Sequence, residues 1–207
     1  MITLHSLAYS RALRVVWFLD ELGIKYDLKT YDRTEDFRAP DALGEVHPLG
    51  KSPVIADGEL TLAESATIMR YIRSRYGEGT VLSPCRDSDA WWQHEQWLDY
   101  VESSLAGPVL AILLAKTGGE DPLDRMKDEA AGHLDYISDA LSTQPFLCGE
   151  GLTLADIQMS YLMALAEVAG LLEDRPTLTS YWQRLRDQPG FKKATAKAGP
   201  MTPPIGD

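Results

Sequence analysis

Hydrophobic and polar positions alternate over residues 2–7, the two-residue period of a strand. After Ser10 the period lengthens: Ala12, Leu13, Val15, Val16, Trp17, Leu19 and Leu22 recur at helical spacing. Ser10 stands where an N-cap belongs and Gly23 where a helix stops. Residues 26–31 read as a second strand, and the polar segment 34–46, with Pro40 and Gly44, leaves room for at most a short helix. Two short apolar runs then flank Asp57-Gly58, the signature of a β-hairpin. From residue 64 to 75 the helical period returns, carried by Ile68, Met69, Tyr71 and Ile72, and it ends near Gly77.

The predicted order is strand, helix, strand, loop, strand, strand, helix. Strands joined through a helix pair in parallel by a right-handed crossover, whereas the hairpin is antiparallel, so the fold class expected for residues 1–77 is α/β with a mixed four-stranded sheet. The stretch GEGTVLSPCRDSD is rich in turn-forming residues and marks a linker at 78–88. Beyond it strand signals vanish, and residues 89–207 are expected to form an all-helical domain. Helical patterns cover 89–116, 122–141, 153–172, 176–186 and 190–198. The third is apolar nearly all round, which predicts a buried central helix.

Composition narrows the function. With 44% hydrophobic and 25% charged residues the chain has the makeup of a globular protein rather than a disordered one. A net charge of −11 repels phosphate backbones and argues against nucleic acid as a partner. The two cysteines, Cys85 and Cys148, form no CxxC or Cys/His cluster, so no metal is expected, and none lies in residues 1–77 to support CxxC-type thiol–disulfide exchange. The opening residues lack the apolar core of a signal peptide, and no unbroken apolar run reaches the ~18 residues of a membrane span. The expectation is a cytoplasmic chain without a membrane partner.

The chemistry concentrates in HPLGKSPVIADGELTLAESATIMRYI, residues 47–72. Pro53 opens a strand after a Gly-Lys-Ser loop, a place where a cis bond is a known device. The main-chain groups of Ser52 would then be free to pair with an extended peptide, as an added strand does. Glu64 and Ser65 fall where the hairpin ends and a helix begins. Main-chain N–H groups at a helix start attract a carboxylate, the Ser65 hydroxyl adds a donor, and the Glu64 carboxylate suits an ammonium. Together they fit an α-amino acid head. Taken singly, Ser and Glu at a helix start are ordinary capping residues.

These residues resemble the glutathione-binding core of the glutathione S-transferase family. His47-Pro48-Leu49-Gly50-Lys51-Ser52-Pro53-Val54-Ile55 is similar to the family pattern N-P-x-G-x-V-P-x-L, and Glu64-Ser65-Ala66-Thr67-Ile68 to E-S-x-x-I. Gly151-Leu152-Thr153-Leu154-Ala155-Asp156-Ile157 resembles the box G-x-x-[ST]-x-A-D-[IV], a helix start with Thr153 as N-cap and Asp156 as the capping-box acid. The opening LHSLAYSR is similar to a fungal and bacterial branch that begins L-H-H-L-N-x-S-R.

The resemblance implies a thioredoxin-like N-terminal domain, glutathione as co-substrate, a homodimer, and a helical domain that shapes a pocket for a small hydrophobic electrophile. It implies that Ser52 beside Pro53 holds the cysteinyl part, Glu64 and Ser65 the γ-glutamyl end, and Lys51 the glycyl carboxylate. His47 stands where the family often has Asn. Free thiols have pKa ~8.5, so a donor at the helix start must favour the thiolate. Ser10 is placed first for that role and Tyr9 second, while the tyrosine position of other members falls on His5. The alternatives are a plain N-cap role for Ser10, a non-catalytic binding protein of the same fold, and a glutathione-dependent isomerase or dehalogenase.

Overall fold

The computed structural model describes residues 1–77 and 82–203; residues 78–81 of the expected linker and 204–207 at the end of the expected helical domain lie outside the described residues. The chain divides into two compact units, Met1–Thr80 with Gln188–Gly206, and Val81–Asp187.

The first unit contains β1 (Thr3–Leu7), α1 (Ala12–Glu21), β2 (Asp27–Tyr31), α2 (Asp41–Val46), β3 (Val54–Asp57), β4 (Leu60–Leu62) and α3 (Ser65–Tyr76). The sheet order is β2-β1-β3-β4, with β1 and β2 parallel and the other pairs antiparallel. This is the mixed sheet that the period changes predict. β1, in the interior of the sheet, is buried over Leu4–Leu7, while β2 at the edge is mostly exposed. In the hairpin Gly58 occupies the first of the two central positions at φ +64°, a conformation glycine adopts without steric cost. α1 is buried from Ala12 through Leu19 and packs on α3.

The second unit is helical among its described residues: α4 (Asp89–Tyr100), α5 (Ala106–Thr117), α6 (Asp124–Ala140), α7 (Leu154–Val168) and α8 (Pro176–Asp187). A π-helical turn, Val101–Leu105, joins α4 to α5, so residues 89–117 form one continuous helix. By length and composition this helix is apolar enough to cross a membrane. Its residues Leu98, Val101, Leu105 and Val109 are fully buried, and it packs on α6 and α7. α7 is buried from Leu154 to Ala166, as its all-round apolar pattern predicts.

The chain then returns to the first unit through α9 (Pro189–Ala198), which packs on α1. Sequence alone groups α9 with the helical domain; long-range contacts place it elsewhere. Phe191 meets Trp17 edge-on at 5.4 Å, and Lys197 Nζ reaches Asp20 Oδ1 at 2.7 Å. Gly190 permits the approach, because a Cβ there would strike the Glu21 carboxylate and the Trp17 indole nitrogen.

α7 starts with the capping box expected at Thr153 and Asp156. The fully buried Asp156 carboxylate accepts four hydrogen bonds: Leu147 N–H at 2.9 Å, Thr153 N–H and O–H at 2.8 Å each, and Tyr181 O–H at 2.9 Å. Burial pushes this carboxyl up, and the four donors pull it back. It ties α7, α8 and the preceding loop into one polar network. Asp156→Ala would orphan those donors inside the core. The urea midpoint should fall by the equivalent of roughly 3 kcal/mol or more, at an unchanged m-value.

Candidate functional site

The site forms at one end of the sheet. β1 and β3 pair Leu4 with Ile55 and His5 with Val54, and β3 and β4 pair Ile55 with Leu62. Continued by two residues, this register sets Ser52 across from Leu7 and Pro53 across from Glu64. The first juxtaposition is closed by hydrogen bonds. The Ser52 hydroxyl donates to the His5 carbonyl at 2.9 Å and accepts the Leu7 N–H at 3.0 Å. The Ser52–Pro53 peptide is cis, as the sequence suggests. Among the described residues the main-chain N–H and C=O of Ser52 carry no hydrogen bond.

At the β4 end the chain turns directly into α3. Glu64 sits at φ +69°, a sparsely populated conformation for a residue other than glycine and one that concentrates at functional sites. No side chain caps α3. This decides against the ordinary capping role for Glu64 and Ser65. Ser65 is a buried residue, 5% exposed, whose hydroxyl makes no hydrogen bond among the described residues; the Glu64 carboxylate is exposed and without an ion pair there. The first-turn N–H groups of α3 are thus uncapped beside an unengaged hydroxyl and an unengaged carboxylate.

Lys51 is exposed, with no protein partner among the described residues. His47 lies at the end of α2 and organises the loop that carries Lys51: its carbonyl accepts the Gly50 N–H at 2.8 Å, and its Nδ1 accepts the Leu49 N–H at 3.4 Å.

The β1–α1 turn holds Tyr9 and Ser10. Ser10 is engaged within the turn. Its hydroxyl donates to the Leu7 carbonyl at 2.6 Å and accepts the Ala12 N–H at 3.2 Å, so the hydroxyl proton is directed at the main chain; the N-cap position of α1 falls on Arg11 rather than on Ser10. Tyr9 adopts φ +54° and stacks on Phe37 at 6.1 Å. Its hydroxyl has no protein partner among the described residues. Arg33 pins the turn: Nε donates to the Ala8 carbonyl at 2.9 Å, Nη2 to the Tyr9 carbonyl at 3.0 Å, and Nη1 to the Phe37 carbonyl at 2.9 Å. His5 is held by Tyr31, whose hydroxyl meets its Nδ1 at 2.8 Å; burial, and then Lys29, keep its pKa low.

Known proteins show what this arrangement belongs to. Residues 1–74 match the family model for the glutathione S-transferase N-terminal domain, and residues 97–189 the model for the C-terminal domain. The chain is 32% identical to glutathione S-transferase 3 of Schizosaccharomyces pombe, over 95% of this chain and 88% of the relative. The chain belongs to the glutathione S-transferase family.

A second curated relative, glutathione S-transferase 1 of Saccharomyces cerevisiae, is 30% identical over 96% of this chain and 95% of its own. Among solved structures, a glutathione S-transferase from Actinobacillus pleuropneumoniae superposes with a TM-score of 0.86 at 33% identity, covering 96% of this chain and 93% of that one. A glutathione transferase from Phanerochaete chrysosporium, solved with oxidized glutathione, shares the fold at 17% identity, with a TM-score of 0.77 over 95% of this chain and 94% of its own.

In this transferase burial, and then Asp156, push the Cys148 thiol up to about 12, and Cys85 lies outside the glutathione S-transferase N-terminal match. Three elements of the site are invisible to local sequence reading. The Ser52 hydroxyl bridge joins residues 45 and 47 positions apart, the Arg33 clamp spans 24 and 25 positions, and Phe37 becomes relevant only by stacking on Tyr9. None of these leaves a periodic or capping signal.

Proposed function

We propose that the chain activates the thiol of glutathione for attack on small hydrophobic electrophiles or peroxides. The observation that carries this reading is the start of α3, where the hydroxyl of the buried Ser65, a carboxylate and a turn of main-chain N–H groups are all left without partners among the described residues. That set complements an α-amino acid head: carboxylate on Ser65 and the helix start, ammonium on Glu64. The cysteinyl main chain pairs with the N–H and C=O of Ser52, and Lys51 meets the glycyl carboxylate. The relative solved with oxidized glutathione supports the ligand class.

Dimensions agree with this pose. The ends of β1, β3 and β4 are two strand spacings apart, about 10 Å, the reach of roughly three extended residues. A peptide anchored at α3 and crossing Ser52 therefore delivers its thiol to the Tyr9–Ser10 turn. Lowering a thiol pKa from ~8.5 to ~6.5 needs about 2.7 kcal/mol. One or two hydrogen bonds to the charged sulfur, each worth about 1.5–3 kcal/mol, supply it. The thiol proton leaves to solvent, the thiolate forms a bond to the electrophilic atom, and the leaving group departs with its electron pair. With a peroxide as oxidant, the thiolate sulfur attacks one oxygen and becomes a sulfenic acid, while the O–O bond breaks and the other oxygen departs with the electron pair and takes up a proton as the alcohol.

Ser65→Ala should weaken glutathione binding by about 1–3 kcal/mol in titration calorimetry, with turnover of a chlorodinitrobenzene probe falling at sub-saturating glutathione. Unchanged affinity would remove the α3 start from the site. Wild-type binding with no turnover of any soft electrophile or peroxide would favour the non-catalytic reading. The family resemblance also supports a two-fold homodimer. Sedimentation at micromolar concentration should then give twice the chain mass, and a monomer would refute it.

A further inference from the structure

The Arg33 clamp bears on the thiol step itself. Three successive carbonyls entering the turn are held: Leu7 by the Ser10 hydroxyl, Ala8 and Tyr9 by Arg33. The N–H groups divide differently. That of Ala8 donates to the Tyr31 carbonyl at 2.9 Å and that of Ala12 to Ser10 Oγ, whereas those of Tyr9 and Ser10 meet no acceptor among the described residues. Both peptides are trans; among the described residues the cis bond is at Ser52–Pro53. In a planar trans peptide the C=O and N–H point in opposite directions. A guanidinium that holds the carbonyls of Ala8 and Tyr9 therefore turns the N–H groups of Tyr9 and Ser10 away from itself.

We propose that Arg33 is a positioning residue for thiol activation, which aims the main-chain N–H groups of Tyr9 and Ser10 at the glutathione sulfur. The inference rests on the glutathione-transferase reading above and specifies which donors hold the thiolate. It also accounts for the engaged Ser10 hydroxyl, whose proton lies on Leu7 rather than on a ligand. Tyr9 holds φ +54°, where a side chain clashes with its own carbonyl, and relaxation of that residue would swing both peptide planes. One planar fork with separate N–H donors secures two successive carbonyls; a lysine ammonium, a single point charge, does not reproduce that geometry. Phe37 completes the clamp from outside, stacked on Tyr9 and lying 4.4 Å from the guanidinium carbon, with its carbonyl on Nη1.

Arg33→Lys tests this, because it keeps the charge and removes the fork. The thiol pKa of bound glutathione is read from the ultraviolet thiolate absorbance of the binary complex, and affinity for S-methylglutathione, which forms no thiolate, is read by calorimetry. The expected result is a bound-thiol pKa raised by about one unit and kcat at neutral pH lowered about tenfold, with S-methylglutathione affinity within about twofold of wild type. A wild-type thiol pKa in the variant would overturn the proposal, as would a parallel tenfold loss of S-methylglutathione affinity, which marks a general structural role. Wild-type protein that binds neither peptide would instead sink the glutathione reading, and this inference with it. If the lysine variant does not fold, Phe37→Leu, at an exposed position, removes the ring stacked on Tyr9 and the guanidinium and is expected to raise the bound-thiol pKa in the same direction; an unchanged value there would overturn the proposal.

Discussion

The hydroxyl of Ser52 closes the sheet where no ladder does. By donating to His5 and accepting from Leu7 it fastens the segment before β3 to the last turn of β1. The side chain thereby does the work of strand pairing and leaves the main chain of the same residue exposed for another peptide. The rest of the site is arranged around that choice. β1 ends in the Tyr9–Ser10 turn, β4 ends in the α3 start, and Ser52 lies between them at strand spacing.

Two helix starts in the first unit use serine in opposite ways. Ser10 ties its own turn together, with the hydroxyl donating to one main-chain group and accepting from another. Ser65, a buried residue, begins α3 with its hydroxyl unengaged among the described residues. The first hydroxyl is spent within its own turn and the second is not. A third helix start, at Thr153 and Asp156 in the second unit, is saturated with internal hydrogen bonds and stabilises the helical core. Local sequence looks alike at all three; what differs is whether the protein itself satisfies the donors.

The fold was legible because it is written in periods. Alternation at residues 3–7, helical spacing from Ala12 and the Asp57-Gly58 turn place every element of the sheet to within a residue or two. The candidate site residues drew their assignment for a related reason: Lys51 to Ser65 is nearly contiguous, and its meaning lies in order and spacing. What escaped was long-range. Arg33 sits in a polar stretch with no period, and its partners Ala8 and Tyr9 contribute carbonyls, which carry no sequence identity. The Ser10 hydroxyl invited a catalytic assignment that its geometry redirects toward the turn. α9 reads as one more amphipathic helix, and only the edge-on meeting of Phe191 with Trp17 and the gap left by Gly190 reveal where it docks.

Membership in the glutathione S-transferase family makes the chemistry a matter of holding one peptide in one pose. The most direct test is a crystal structure of the protein soaked with glutathione. The account predicts two hydrogen bonds between the cysteinyl main chain and the N–H and C=O of Ser52, with the γ-glutamyl carboxylate on Ser65 and its ammonium on Glu64. Glutathione bound elsewhere, with the main-chain groups of Ser52 still facing solvent, would contradict it.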